Sequence, residues 1–229
     1  MTDIEAAIVT LDERLTGVPF DFAFLGGSVL TLLVTDKTAD AIRVTKDVDV
    51  MMSIRSRKEY HAADAELERR GFKHDTREDA PVCRWICANL TVDVLPIRED
   101  VLGWNSRWFE QALSEAQTIM LGGRRVKTIT APYFVALKLE AFEDRGQKDF
   151  LCSTDFEDVI CLFNGRASTA DEIIANPCLR QGLAEKFNDY LASPDLEGAV
   201  EGFVQTEDNP EVRKERILNA FRRVADSII

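Results

Sequence analysis

Residues 21–34 read DFAFLGGSVLTLLV and predict a strand that turns directly into a helix. The apolar run up to Leu25 favours a short buried strand, and the run that follows Ser28 favours an apolar helix. Gly26 and Gly27 lie at the junction, where residues without a side chain allow a tight turn and close approach of a ligand to the main chain. The N–H groups at the start of such a helix suit an anion such as phosphate. A plain turn between two elements is the alternative interpretation.

Two later segments, DVDV at 47–50 and LTVDVL at 90–95, place acidic residues in strand patterns. Side chains alternate between the two faces of a strand, so Asp47 and Asp49 share one face while the valines point into the core. Asp93 lies between two valines of the second segment. If the strands are neighbours, three carboxylates meet and favour bound cations, because their charges repel one another. We expect one or two Mg²⁺ ions, which take carboxylate and phosphate oxygens as ligands. Solvated strand ends are the alternative.

The order of the predicted elements indicates an α+β protein, with a mixed sheet flanked by helices and then a mainly helical lobe. Strand patterns stop after Pro132, and helices dominate from there to the end. We therefore expect one domain over 1–130 and a second over 131–229, which completes the cleft that holds the site. The first domain is predicted to contain helices over 2–15, 56–70 and 106–116 and strands over 82–87, 90–95, 118–121 and 125–129, and the last helix of the second runs over 210–228.

Composition excludes some classes of protein. The chain has 229 residues and a hydrophobic fraction of 45%, which is ordinary for a folded domain with a real core. No stretch approaches the roughly 20 apolar residues that a membrane helix needs, so no membrane partner is expected. Five cysteines, an odd number without a C-x-x-C pair, favour a reduced, cytoplasmic protein.

The net charge of −12 bears on possible partners. Proteins that bind nucleic acid through many phosphates usually carry a basic surface, and this chain as a whole would repel such a partner. Basic residues do cluster locally, most densely on the helix that starts at Pro210. Net charge alone therefore does not decide whether RNA is a partner.

Taken together, a Gly-Gly-Ser turn, a helix, Asp-Val-Asp and a later single Asp resemble the nucleotidyltransferase superfamily related to DNA polymerase β. Further along, the segments 131–141 and 155–159, with Arg145 and Gly146 between them, are similar to the AbiEii/AbiGii-type toxin nucleotidyltransferases. The resemblance covers roughly residues 20–165 and implies a nucleotidyltransferase core of the α/β type.

The resemblance implies specific roles. Gly26, Gly27 and Ser28 would hold the nucleotide phosphates, and Lys138 would reach the triphosphate or the reacting centre. The metal ligands would be Asp47, Asp49 and Asp93, where Asp93 either completes the metal site or acts as a base. Catalytic acids of a D-x-x-D pair would be Asp155 and Asp158, although Asp149 could also fill the family's acidic position.

The D-x-x-D acids and Lys138 also have structural interpretations. Thr154 and Glu157 could form a capping box, which alone would explain the acids at the start of that helix. Lys138 lies among apolar residues and could extend along the helix to reach solvent. Arg84 would be costly to bury unpaired, so we predict that it faces the site and pairs with a carboxylate or a phosphate.

The resulting functional prediction is a Mg²⁺-dependent nucleotidyltransferase that moves a nucleoside monophosphate from a nucleoside triphosphate to an acceptor hydroxyl. The family resemblance implies an RNA acceptor, such as the 3′ end of tRNA, and a toxin with a cognate antitoxin protein. A small-molecule nucleotidyltransferase of the antibiotic-modifying type is one alternative. A nucleotide-binding regulator without turnover is the other.

Overall fold

The computed structural model describes residues 1–36, 43, 45, 47–103, 106–146, 148–204 and 209–228. The described residues form two compact units. One contains Met1–Val29 and Val44–Thr130, and the other contains Leu30–Arg43 and Ala131–Ile229. The domain ranges 1–130 and 131–229 stay a prediction.

A seven-stranded mixed sheet forms the centre of the first unit, with strand order β3-β4-β5-β2-β1-β7-β6. β2 runs parallel to β5 and antiparallel to β1, so the two acidic strands lie side by side. The strands are β1 (Phe22–Leu25), β2 (Asp47–Met52), β3 (Lys73–His74), β4 (Arg84–Cys87), β5 (Leu90–Pro96), β6 (Gln117–Leu121) and β7 (Arg124–Thr128). The sheet and the helices around it confirm the predicted α+β class.

The two long helices of the first unit begin at side-chain caps. In α1 (Asp3–Leu15), Thr2 and Glu5 form a reciprocal capping box, which confirms the predicted start. α3 (Arg57–Arg69) is capped by the hydroxyl of Ser56. The short helices α4 (Glu99–Leu102) and α5 (Phe109–Ser114) follow β5.

The predicted helix after the glycine pair is shorter and less regular than expected. Gly27–Val29 forms a 3₁₀ turn, and α2 (Leu30–Leu33) adds one turn of α-helix. The apolar sequence indicated the correct element, but it did not indicate the change from 3₁₀ to α geometry or the early end.

The second unit is built from helices around an aromatic core. Rings of Phe142, Phe150, Phe156 and Tyr190 contact one another, with Phe150 and Phe156 edge to face at 4.8 Å. Its helices are α2, α6 (Ala131–Asp144), α7 (Thr154–Gly165), α8 (Thr169–Ala175), α9 (Arg180–Leu191), α10 (Leu196–Phe203) and α11 (Pro210–Ala225). The helical composition of this unit agrees with the sequence pattern.

The predicted capping box at the start of α7 is wrong by one residue. The hydroxyl of Ser153, not that of Thr154, accepts the hydrogen bond from the N–H of Phe156. Capping therefore does not explain Asp155 and Asp158, whose carboxylates have other partners.

Across the described ranges, every helix is too short or too polar to cross a membrane. The five cysteines all lie in the described part of the chain and are free thiols.

Candidate active site

Strand register brings four charged side chains to one face of the sheet. Asp49 pairs with Asp93 across β2 and β5, and Asp93 pairs with Arg84 across β5 and β4. Residues paired in register face the same side, and Asp47 lies two positions before Asp49, so it shares that side as well. We call Asp47, Asp49, Asp93 and Arg84 the charged row.

The glycine turn lies directly against this row. Leu25 pairs with Asp49 across β1 and β2, and Gly26 continues the chain from there with a φ of +70°. A Cβ atom at position 26 would overlap Oδ2 of Asp49 and lie 2.8 Å from its Cγ. Glycine is required here both for the left-handed backbone and for the close approach of the carboxylate.

Arg84 is the centre of the hydrogen bonds within the row. Its Nε donates to Oδ1 of Asp93 at 2.8 Å, and its Nη2 donates to Oδ2 of Asp93 at 2.7 Å and to Oδ2 of Asp47 at 3.3 Å. The hydrogen bonds to Asp93 raise the pKa of Arg84 above its usual range. The guanidinium therefore stays charged, and the predicted pairing of Arg84 with a carboxylate is observed.

Ser28 has a structural contact in the described residues. Its side chain is fully buried, and its hydroxyl donates to the carbonyl of Leu25 at 2.9 Å, which closes the turn. The N–H of Val29 bonds the carbonyl of Gly26 in the same turn. Contact of Gly27 or Ser28 with a phosphate stays a prediction.

As ligands for a magnesium ion, the pair of Asp47 and Asp49 fits better than the triad of Asp47, Asp49 and Asp93. In the part of the chain that the structure describes, no three acidic, histidine or cysteine side chains are grouped to hold a metal ion by themselves. Asp47 has a side chain 41% exposed, so its carboxylate is accessible beside Asp49. Mg²⁺ commonly takes one or two protein carboxylates and completes its shell with water and substrate phosphates. Asp47 and Asp49 match that ligand set.

The second unit contains its own buried cluster of charges. Nζ of Lys138 lies 3.0 Å from Oδ1 of Asp155 and 2.5 Å from Oδ2 of Asp158, and all three side chains are buried. Burial alone would lower the pKa of Lys138, but the two carboxylates outweigh burial and raise it. The alternative that Lys138 extends to the solvent is therefore wrong.

Asp155 is held from a second direction. Arg145 donates to both of its carboxylate oxygens at 2.8 Å. Burial would raise the pKa of Asp155, but the hydrogen bond from Arg145 and the charge of Lys138 lower it. Asp149, by contrast, is exposed and accepts from the N–H groups of Leu151 and Cys152. Of the two candidates for the family's acidic position, Asp155 is the one beside Lys138.

Sequence reasoning gave no role to three residues that contact these clusters. The hydroxyl of Thr45 donates to Oδ1 of Asp47 at 2.9 Å. Arg145 clamps Asp155, and Arg43 lies 3.7 Å from Oδ2 of Asp158. Thr45 lies before the first residue of β2, so strand alternation gave no signal for it.

The fold resembles that of known proteins although the sequence does not. No protein-family model matches the chain, and no curated protein matches it. An antigenic nucleotidyltransferase-like protein from Paracoccidioides brasiliensis matches with a TM-score of 0.53 and 19% identity, over 87% of this chain and 93% of that chain.

Two antibiotic-related structures match with lower scores. The antibiotic-resistance factor ANT(2'')-Ia has a TM-score of 0.45 and 11% identity, over 81% of this chain and 92% of that one. The lincosamide antibiotic adenylyltransferase LnuA, bound to lincomycin, has a TM-score of 0.42 and 16% identity, over 71% and 97%. The match to the Paracoccidioides protein establishes a nucleotidyltransferase-like fold, and the AbiEii/AbiGii resemblance stays a prediction.

Proposed function

We propose that this protein is a metal-dependent nucleotidyltransferase. The observation that carries the proposal is the charged row beside the Gly26 turn. There, the accessible carboxylate of Asp47, the neighbouring Asp49 and a guanidinium fixed by Asp93 lie next to the glycine turn. A nucleotidyltransferase-like fold supports the same conclusion.

The reaction proposed is an in-line transfer. An acceptor hydroxyl oxygen attacks the α-phosphorus of a nucleoside triphosphate, and the bond from that phosphorus to the β-bridging oxygen breaks. Pyrophosphate leaves with the electron pair, and the hydroxyl proton is lost to a carboxylate or to water. Asp47 and Asp49 would hold Mg²⁺, which when bound neutralises phosphate charge and helps to orient the reacting oxygens.

The remaining residues bind and orient the substrate. N–H groups at Gly26 and Gly27 would bind phosphate oxygens, and buried Ser28 supports that turn through its hydrogen bond to Leu25. Arg84 offers a guanidinium that suits phosphate geometry. From the family resemblance, Lys138, Asp155 and Asp158 also act in catalysis. Their mutual ion pairs would keep the lysine charged for that purpose.

On the family resemblance, we propose that the acceptor is RNA, such as the 3′ end of tRNA. The same resemblance suggests a toxin in the cytoplasm with an antitoxin protein as partner. The net charge of −12 argues for a short contact with the end of the RNA, because long contacts with many phosphates would be repelled.

Labelled triphosphates would test the proposal. The protein with Mg²⁺ is incubated with each of the four labelled nucleoside triphosphates and either total RNA or a panel of hydroxyl-bearing antibiotics. Label in tRNA supports the proposal, and label in an antibiotic supports the small-molecule alternative instead. Tight, Mg²⁺-dependent nucleotide binding without release of pyrophosphate would favour the inactive regulator.

A further inference from the structure

We infer that Asp93 is a positioning residue for Arg84 and not a ligand of the metal. On this basis the site takes one divalent cation, through Asp47 and Asp49, and Arg84 supplies the second positive charge to the substrate phosphates. The inference rests on the proposed function and concerns the residues of the same charged row.

The first argument is the geometry of the ion pair. Arg84 binds both oxygens of Asp93 through two parallel N–H donors, at 2.8 and 2.7 Å. This bidentate arrangement is the strongest and most directional form of an arginine–carboxylate contact. The pair is also shielded, since the side chains of Arg84 and Asp93 are only 23% and 12% exposed. A metal ion at Asp93 would lie next to the positively charged guanidinium. Solvent would screen their repulsion poorly, because both side chains are largely buried.

The second argument is the grouping of possible ligands. In the described part of the chain, no three acidic, histidine or cysteine side chains are grouped to hold a metal ion, so Asp93 forms no triad with Asp47 and Asp49. Two carboxylates, completed by water and substrate phosphates, are enough for one Mg²⁺. Arg84, fixed by Asp93, then supplies the second positive charge to the phosphates.

The third argument concerns the other contact of Arg84. Its Nη2 also reaches Oδ2 of Asp47, at the longer distance of 3.3 Å. A cation that binds Asp47 competes for this oxygen and releases the donor, while Asp93 still holds the guanidinium in place. Arginine is suited to the next partner, because its planar fork matches phosphate oxygens. Metal binding and phosphate binding are thus coupled through Arg84.

Mn²⁺ binding, followed by electron paramagnetic resonance, tests the inference without any turnover. For the wild-type protein we expect one bound Mn²⁺ per chain at saturation. Loss of a true ligand in Asp49→Asn should weaken binding about tenfold or more, since even indirect partners of a metal act on that scale. Asp93→Asn should also weaken it, because Arg84 then turns to Asp47 and competes with the ion.

The double variant Arg84→Met/Asp93→Asn decides between the two roles of Asp93. If Asp93 acts only by holding Arg84, removing both restores Mn²⁺ affinity to near the wild-type value. If Asp93 is a ligand, the double variant stays as weak as Asp93→Asn, and the inference is overturned. Two ions bound per wild-type chain would overturn it as well, and this measurement needs no variant to fold.

Nucleotide binding supplies the second readout. Arg84→Met alone should keep or strengthen Mn²⁺ binding and weaken binding of a non-hydrolysable triphosphate about tenfold or more, as expected for a lost charged hydrogen bond. Unchanged triphosphate affinity would contradict the role of Arg84. A wild-type protein that binds neither Mn²⁺ nor triphosphate would instead overturn the proposed function itself, so the two failures are distinguishable.

Discussion

Gly26 lies in contact with the carboxylate of Asp49, so closely that a Cβ atom at position 26 would lie 2.8 Å from Cγ of Asp49. The contact joins the turn after β1 to the charged row on β2. It gives the Gly-Gly-Ser segment a physical purpose that a plain turn would lack.

Gly26→Ala should lower Mn²⁺ binding in addition to its cost in unfolding free energy. Gly123→Ala is the matched control, because Gly123 has a φ of +81° but open space around the added atom. The left-handed backbone should cost each variant about 1–2 kcal/mol of unfolding free energy. Only Gly26→Ala should displace Asp49 and lose Mn²⁺ binding. Thermal unfolding and Mn²⁺ titration measure the two effects, and equal Mn²⁺ binding by both variants would refute the contact.

Removing Lys138 should destabilise the protein strongly. Lys138→Met leaves Asp155 and Asp158 buried without their shared cation. We expect a loss of about 3–5 kcal/mol in unfolding free energy by urea denaturation.

Arg145→Met is the matched control for that loss, because Arg145 binds the same Asp155 but its side chain is 70% exposed. Its removal should cost less than about 1 kcal/mol. Similar losses in the two variants would show that burial of the cluster is not what makes Lys138 important.

Stability should depend on pH through Asp155. Because its pKa is lowered below the ordinary value of 3.8, its ionised form stabilises the folded state above that pH. The contribution is lost as the pH falls through the lowered pKa of the folded state. The stability difference between the wild type and Asp155→Asn should therefore be full at about pH 6 and smaller at about pH 3. Urea unfolding at both pH values measures it, and a constant difference would contradict the ion pairs.

Cysteine reactivity should separate the two buried thiols from the two exposed ones. Burial and the nearby Asp93 raise the pKa of Cys83 to about 12, and Cys87 is buried as well. Cys152 and Cys178 are exposed. Iodoacetamide at about pH 8 should therefore label the exposed pair first, because the thiolate is the reactive form. Mass spectrometry of the labelled peptides gives the order, and early labelling of Cys83 would contradict its environment.

The sequence predicted which residues form the charged row, but it did not predict the strand register that brings them together. Alternation in β2 placed Asp47 and Asp49 on one face, but no local pattern fixes the parallel register that sets Asp49 beside Asp93. The pairing of Arg84 with Asp93 follows from a two-residue turn at Ala88 and Asn89, whose φ values are 51° and 64°. Alanine rarely adopts this left-handed conformation, so the turn gave little signal in the sequence.

The second unit shows a different limit of sequence reasoning. Asp155 and Asp158 were predicted as a D-x-x-D pair from the family resemblance, and their spacing of three residues places both acids on one face of α7. Whether Lys138 meets them or reaches solvent depends on how α6 packs against α7, and the apolar neighbours of Lys138 fit either outcome. The choice between Ser153 and Thr154 as the cap depends on backbone angles at adjacent hydroxyl residues.

Transfer of label from an α-labelled triphosphate, compared between the wild type and Asp49→Asn, tests the central claim most directly. Asp100→Asn is the control, because this carboxylate is exposed and its ion pair is with Arg98. We predict that the wild type and Asp100→Asn transfer label with Mg²⁺ and that Asp49→Asn loses about a hundredfold or more in rate, typical of a lost group that stabilises transition-state charge. Transfer by Asp49→Asn at the wild-type rate would contradict the account.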